Sequence, residues 1–181
     1  MVILGLDPGF SNLGWGLLDA SGPHLVCLGT GVIRTKPDKG ANKCDSNADR
    51  CGELYHALAE LHKAHRFVFI AAEAQSWTRF ANADRAVAMA WGVIASVASQ
   101  HGCPVIQIRP QDVKKKLTGS ASASKESLQS WLAVNVLESA AHLSSLAKTH
   151  QNHASDALAV AVASREHPLV KMTMRMKEGL A

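Results

Sequence analysis

The chain has 181 residues, of which 47% are hydrophobic and 19% charged, a composition ordinary for one soluble globular domain. No run approaches eighteen apolar residues, which excludes a membrane-spanning helix, and the N-terminus begins a strand without a leader pattern, so we expect a cytoplasmic location. The net charge of +4 is a mild indication of a polyanionic partner.

The first third of the chain predicts three strands joined by short turns, over residues 2–6, 14–19 and 24–35. The first strand ends at Asp7, and Pro8-Gly9 then predicts a tight turn. Such short connections produce an antiparallel meander. Two glycines of the third strand, Gly29 and Gly31, indicate a bulge or a close backbone approach.

A loop over residues 36–47 precedes a predicted helix that ends at Arg66. One apolar face marks this helix: Cys51, Leu54, Leu58 and Leu61. Residues 67–72 are continuously apolar, as in a strand buried on both faces, and this strand also ends in an acid, Glu73. The four cysteines form no C-x-x-C pair, so we expect reduced or buried thiols and no structural zinc site.

After Glu73, a linker over residues 75–81 carries two aromatic side chains and one cation: Trp77, Phe80 and Arg79. Asn82 is the predicted N-cap of a helix over residues 83–100. That helix is apolar nearly all round, which indicates burial in the core or in a subunit interface. Residues 105–108 predict a fifth, short strand.

The remainder begins with a basic stretch over residues 109–125 that contains one acid. Ser124 is the predicted N-cap of the next helix, and a loop over 140–152 leads to a last helix over 153–165. Pro168 is predicted to end the regular structure. The expected organisation is therefore a single domain over 1–167 and a basic C-terminal tail over 168–181.

This order of elements predicts an α/β fold: a mixed five-stranded sheet, with a three-strand antiparallel meander and two parallel strands, flanked by helices. A right-handed crossover would place the fourth strand beside the first. Asp7 and Glu73 would then end neighbouring strands at the same edge.

Asp7 alone allows three interpretations: an ordinary Asx turn, a phosphate loop of the actin-like ATPase type, or a metal ligand for phosphodiester cleavage. His153 and Asp156 share one helix face because they are three residues apart. Three acids and an imidazole suit Mg²⁺ or Mn²⁺, and two such ions can activate water for phosphodiester hydrolysis. The ATPase would need a second phosphate loop, which we do not find.

Several motifs in this order resemble the RuvC-type Holliday junction resolvases of the RNase H-like nuclease superfamily. The matching segments are Gly5-Leu6-Asp7-Pro8-Gly9, Gly14-Trp15-Gly16, Leu28 to Thr35, Glu73, Asn82-Ala83, Pro110 to Lys114, Lys125 and His153 to Ala159. The resemblance covers residues 2 to about 165 and implies an RNase H-like fold. The loop over 36–47 is longer and more basic than the family pattern.

The resemblance implies roles for matching positions. Asp7, Glu73 and Asp156 would be catalytic metal ligands, joined by His153, which stands where many members carry Asp. Phosphate contacts would come from Lys114 and Lys125, with Lys115 as a further DNA-binding candidate. The linker would place Trp77 or Phe80 at the junction centre, with Arg79 beside them.

We therefore expect a Mg²⁺-dependent endonuclease, with Mn²⁺ able to substitute, that cuts four-way DNA junctions as a homodimer. A two-fold symmetric dimer suits a two-fold symmetric substrate. The resemblance leaves a branch-migration partner open. The alternatives are a related nuclease for other branched DNA or RNA-containing substrates, and a non-cutting DNA-binding module or actin-like ATP-binding fragment.

Overall fold

A computed structural model describes residues 1–74 and 81–179 and contains a mixed sheet in the order β5-β4-β1-β2-β3-β6. The strands are β1 Val2–Asp7, β2 Asn12–Asp19, β3 Leu25–Arg34, β4 Phe69–Glu73, β5 Val105–Ile108 and β6 Val136–Leu137. The predicted fold class is confirmed, with a sixth strand in addition to the five expected. Strand β6 has two residues and pairs parallel with β3, and a strand of that length has no periodicity to detect.

The first three strands form the predicted antiparallel meander. The register between β2 and β3 shifts at Leu17/Leu18, because Leu17 pairs with Gly29 and Leu18 with Cys27. A Cβ atom added at Gly31 would lie 2.8 Å from the indole Nε1 of Trp15. The predicted bulge is therefore present, and the atoms that approach Gly31 closely belong to the Trp15 side chain and not to another backbone segment.

The parallel half of the sheet places β4 beside β1 and β5 beside β4. Leu6 pairs with Ala72, so Asp7 and Glu73 follow at the ends of adjacent parallel strands. The sequence-based prediction that these two strands are neighbours is confirmed.

Seven helices lie within the described residues: α1 Lys43–His65, α2 Ala81–His101, α3 Pro110–Thr118, α4 Lys125–Asn135, α5 Ser139–Ser144, α6 Lys148–Ser164 and α7 Pro168–Glu178. Helix α1 begins inside the predicted loop because the Asn42 side chain accepts hydrogen bonds from the backbone N–H groups of residues 44 and 45. It ends as predicted at Arg66, in the left-handed conformation. Asn82 lies inside α2 and is not its N-cap.

Helix α3 was not predicted, although Pro110 at its start is a recognised signal. Its Val113 and Leu117 are buried at a spacing of four residues. The predicted loop over 140–152 is also wrong, because α5 and the start of α6 occupy much of it. His153 and Asp156 consequently lie beyond the first turn of α6.

Residues 168–178 form α7, and the prediction that regular structure ends at Pro168 is wrong. Pro168 occupies the first turn of the helix, where its missing N–H costs nothing. Val170 is fully buried, and Met174 packs against the same core. These apolar residues, four apart, attach α7 to the fold.

Two hydrophobic cores cover the two faces of the sheet. On the α6 face, Ile3 and Leu18 pack against α3, α4 and α6. On the α1/α2 face, Leu4 and Leu17 pack against α1 and α2. All four cysteines are free, and Cys27 and Cys103 are buried. Within residues 1–74 and 81–179, no helix is long and apolar enough to span a bilayer.

Candidate active site

The ends of β1 and β4 bring the first two acids together. Strand β1 ends at Asp7 and strand β4 at Glu73, and the two strands run parallel in adjacent positions. The carboxyl ends of such strands meet at one edge of the sheet, where open α/β sheets bind their ligands. Asp7 and Glu73 therefore share this edge by topology.

Helix α6 brings the third acid and the histidine because it lies directly on the sheet. A Cβ atom added at Gly5 would lie 2.0 Å from the Ala157 carbonyl oxygen. One added at Gly14 would lie 2.3 Å from the His153 carbonyl oxygen. Only glycine allows so close an approach, and this contact sets the height of His153 and Asp156 above the strands.

Asp7 and His153, 146 residues apart, are in direct contact. The distance from His153 Nδ1 to Asp7 Oδ2 is 2.6 Å. A carboxylate can only accept, so Nδ1–H is assigned as the donor. In the neutral ring this leaves the lone pair of Nε2 available to a ligand. The side chains of Asp7 and His153 are 22% and 40% exposed, which leaves both accessible from solvent.

Asp156 lies beside a lysine from the start of α4. Lys125 Nζ is 3.4 Å from Asp156 Oδ2. Burial raises the pKa of Asp156, opposed by the positive charge of Lys125, while the negative charge of Asp7 adds to the increase. Asp156 is thus within electrostatic reach of both the lysine and the first acid.

Glu73 is the most strongly perturbed acid of the group. Burial raises the pKa of Glu73 from its usual 4.5 to about 7, and the negative charges of Asp7 and Asp156 act in the same direction. Lys125 and Lys114 oppose them with a smaller effect. Because Asp7 and Asp156 both raise the pKa of Glu73, the three carboxyl groups lie within electrostatic reach of one another, and we refer to them as the acid cluster.

A cavity of about 210 Å³ lies next to this cluster. Glu73 and Asp156 line it together with Lys114 and Lys125. Its apolar walls come from α3, α4 and α6: Pro110, Val113, Leu128 and Val160. The cavity therefore combines two acids with two lysines, as a site for a phosphodiester near a metal would require.

The donor chemistry of the cluster fits a hard divalent ion, because three carboxylates supply oxygen ligands and His153 a nitrogen. A cation would also relieve the repulsion that raises the pKa of Glu73. In the part of the chain that the structure describes, no three His, Cys, Asp or Glu side chains are arranged to enclose one ion as they stand. Asp7 and Asp156 are instead engaged by His153 and Lys125.

Lys115, the remaining predicted DNA-binding lysine, does not line this cavity. Lys115 lines a separate depression with Arg109 and His167, about 100° around α3 from Lys114. Trp77, Arg79 and Phe80 fall outside the described residues, so their assignment stays a prediction.

Sequence reasoning overlooked Arg50, a buried cation of α1 that hydrogen-bonds the loop after Asp7. Its spacing of four residues from Leu54, and eight from Leu58, was a usable signal, because it places Arg50 on the buried stripe of the helix.

The sheet and its helices have the architecture of the RNase H-like resolvases, a class of nuclease. The structure of T. thermophilus RuvC in complex with Holliday junction substrate matches with a TM-score of 0.78 and 26% identity, over 96% of this chain and 97% of that one. The model of the RuvC family, described as crossover junction endodeoxyribonuclease RuvC, matches residues 3–164. The chain therefore belongs to the RuvC family of nucleases.

Two relatives show how far the similarity extends. The crossover junction endodeoxyribonuclease RuvC of Gloeobacter violaceus is 33% identical over 171 residues, which are 93% of this chain and 90% of that protein. The protein of the same name from Natranaerobius thermophilus is 32% identical over 129 residues, which are 71% of this chain and 76% of that protein. The similarity thus extends over the elements that carry the acid cluster.

Proposed function

We propose that this chain is a divalent-metal-dependent endodeoxyribonuclease that resolves four-way DNA junctions by paired phosphodiester hydrolysis. The observation that carries the proposal is the acid cluster of Asp7, Glu73 and Asp156 next to a cavity with Lys114 and Lys125. The junction-bound T. thermophilus structure supports the choice of substrate.

Asp7, Glu73, His153 and Asp156 are the residues that would hold Mg²⁺, with Mn²⁺ as a substitute. When bound, such ions activate water and stabilise the leaving oxygen of a phosphodiester. His153 would bind through Nε2, because its Nδ1–H donates to Asp7 Oδ2. This hydrogen bond orients the ring, as partners of metal-binding histidines commonly do.

The lysines of the cavity supply the positive charge for the DNA backbone. Lys114 lines the cavity from α3 and Lys125 from the first residue of α4. Each ammonium group would hold a phosphate oxygen by a charge-assisted hydrogen bond. Glu73, with its pKa of about 7, can hold a proton on its carboxyl group at neutral pH and release it when positive charge arrives.

Paired cleavage requires two sites, and we propose a homodimer for this reason. Helix α2 buries one face against the sheet, including Val93, Ile94 and Val97. Its exposed positions include small residues that would permit close packing with a second copy: Gly92, Ala95 and Ser96. Sedimentation equilibrium of the full chain should give twice the mass of 19.3 kDa.

The deciding experiment compares cleavage of a labelled four-way junction, a flap, a duplex and an RNA–DNA hybrid, each with Mg²⁺ and with EDTA. We expect Mg²⁺-dependent, symmetric cuts in the junction and little cleavage of the duplex. Asp7→Asn serves as the inactive control. Preferential cleavage of the hybrid or flap would instead support a related nuclease with another substrate.

A further inference from the structure

Arg50 of α1 carries a buried positive charge that the acid site does not use. It is 6% exposed, its Nε donates to Thr35 Oγ1 at 2.9 Å, and its Nη2 donates to Ser11 Oγ at 2.8 Å. The guanidinium also lies 4.0 Å from the centre of the Phe10 ring. Among the described residues it has no carboxylate partner, although guanidinium stays charged in proteins.

This charge lines a cavity of about 560 Å³ between the start of α1, the loop after Asp7 and the start of α2. Three cations contribute to its wall: Lys43, Arg50 and Arg85. None of the described lining residues is acidic. We call this space the Arg50 cavity. Its formal charge of +3 in a partly enclosed site favours an anionic ligand.

The remaining wall of the Arg50 cavity is mostly apolar, with Phe10, Ala86 and Met89. An inorganic phosphate would leave this surface without a partner, whereas the deoxyribose of a nucleotide could cover it. The position also suits DNA, because Ser11 is four residues from Asp7 in the chain. Two exposed lysines of the basic loop before α1, Lys36 and Lys39, add positive charge nearby in the sequence.

We propose that the Arg50 cavity is a second phosphate-binding site, which takes a backbone phosphate of the DNA other than the scissile one. Lys43 and Arg85, both exposed at its rim, would contact the phosphate oxygens, and Arg50 supplies the fixed charge behind them. The site lies on the α1/α2 face, and the Lys114–Lys125 cavity lies on the α6 face. The inference rests on the proposed function, because it takes DNA as the ligand.

Cys44 provides a direct probe, because it lines the Arg50 cavity and is the exposed cysteine of the four. Burial raises the pKa of the Cys27, Cys51 and Cys103 thiols, so a maleimide should react first with Cys44. The alkylation rate is measured in EDTA with junction DNA, with inorganic phosphate at millimolar concentration, and with neither. We expect DNA to slow alkylation severalfold and inorganic phosphate to have little effect.

Substitutions of the two rim cations test their contacts with DNA without relying on the reactivity of Cys44. Lys43→Ala and Arg85→Ala should each weaken junction binding about three- to tenfold and reduce the salt slope of binding by about one. Lys63→Ala is the matched control, since Lys63 is exposed on the same helix about 30 Å away, and it should change neither quantity. Arg50 is left unchanged because its loss would also release the loop at Ser11.

The outcomes separate this inference from the proposed function. If Lys114→Ala weakens binding while Lys43→Ala and Arg85→Ala do not, and DNA leaves Cys44 reactive, the Arg50 cavity is not a phosphate site. If inorganic phosphate protects Cys44 as well as DNA does, the Arg50 cavity binds a free anion, and its assignment as a DNA site is overturned. If no junction binding occurs at all, the proposed function itself fails.

Discussion

The two faces of the sheet are packed by different means, and only one of them carries the acid cluster. On the α6 face, glycines of β1 and β2 meet the backbone of α6, so that added Cβ atoms at Gly5 and Gly14 would lie 2.0–2.3 Å from carbonyl oxygens. On the α1/α2 face, large side chains such as Leu54, Leu58 and Phe67 fill the space. Backbone contact holds a helix in one position, whereas large side chains can repack.

Catalytic geometry would therefore depend on the α6 face of the sheet. His153 and Asp156 lie on α6, and any shift of that helix moves both relative to Asp7 and Glu73. Displacements on the order of 1 Å can cost about 100-fold in rate. The α1/α2 face can lose stability without losing this alignment.

The largest expected effect comes from the acids of the α6 face. Asp7→Asn, Glu73→Gln and Asp156→Asn should each reduce junction cleavage by at least about 100-fold, because even changes to partners of metal ligands cost 10–100-fold. Junction binding should be nearly unchanged, as measured by gel shift in EDTA. The matched control is Glu53→Gln, an exposed acid on α1, which should cleave normally. Wild-type cleavage by Glu73→Gln would show that the site is misassigned.

The packing itself can be tested with one substitution on each face. Gly14→Ala should destabilise the fold by about 1–3 kcal/mol through overpacking, and should reduce cleavage by up to about 100-fold by displacing α6. Leu58→Ala should destabilise by about 2–5 kcal/mol and leave cleavage of the folded protein unchanged. Urea denaturation and single-turnover rates measure the two effects. Equal single-turnover cleavage rates in the two variants would mean that packing on the α6 face is no more important for cleavage than packing on the α1/α2 face.

The partly buried carboxyl group of Glu73 predicts a pH-dependent cost in stability on the α6 face. Because its folded-state pKa is about 7 and its usual value 4.5, the associated stability is present below pH 4.5 and lost as pH rises through 7. In EDTA at pH 8, Glu73→Gln should therefore be more stable than wild type by about 1–2 kcal/mol, allowing for solvent screening. The difference should disappear at pH 4 and shrink when Mg²⁺ is added. A less stable variant at pH 8 would contradict this sign.

Neighbouring lysines of α3 provide a smaller test on the α6 face. Lys114→Ala should reduce the salt slope of junction binding by about one, because it removes a phosphate contact in the cavity. Lys115→Ala should have less effect, since Lys115 lies outside that cavity. Fluorescence anisotropy over a series of salt concentrations measures both. Identical salt slopes for the two variants would mean that a position inside the cavity does not decide which lysine contacts a phosphate.

The smallest expected effect concerns His153, the proposed imidazole ligand. Imidazole suits Mn²⁺ better than Mg²⁺, so His153→Asp should retain cleavage and lower the ratio of Mn²⁺- to Mg²⁺-supported rates by severalfold. His153→Ala should cleave poorly with both ions, because it loses the contact with Asp7. An unchanged metal ratio in His153→Asp would place His153 outside the metal's ligand set.

Much of the strand order and the acid cluster could be predicted because the signals are local. The run from Val2 to Leu6 predicts a buried strand, and the same is true of the run before Glu73. A right-handed crossover then brings the two acids to one edge. Helices α3, α5 and α7 were missed because each is short and has few buried positions from which a periodic apolar face could be recognised.

By itself, the sequence determined the alternation of strands and helices and the acids at the strand ends. It also determined the family, through short motifs that follow one another in the family's order. These features depend on residues close together in the chain, where periodicity, turns and caps act. Only the tertiary structure decided that His153 contacts Asp7, that glycines seat α6 on the sheet and that Arg50 is buried without a carboxylate partner among the described residues. Each of these results joins residues far apart in the chain, and local patterns carry no information about how such surfaces pack.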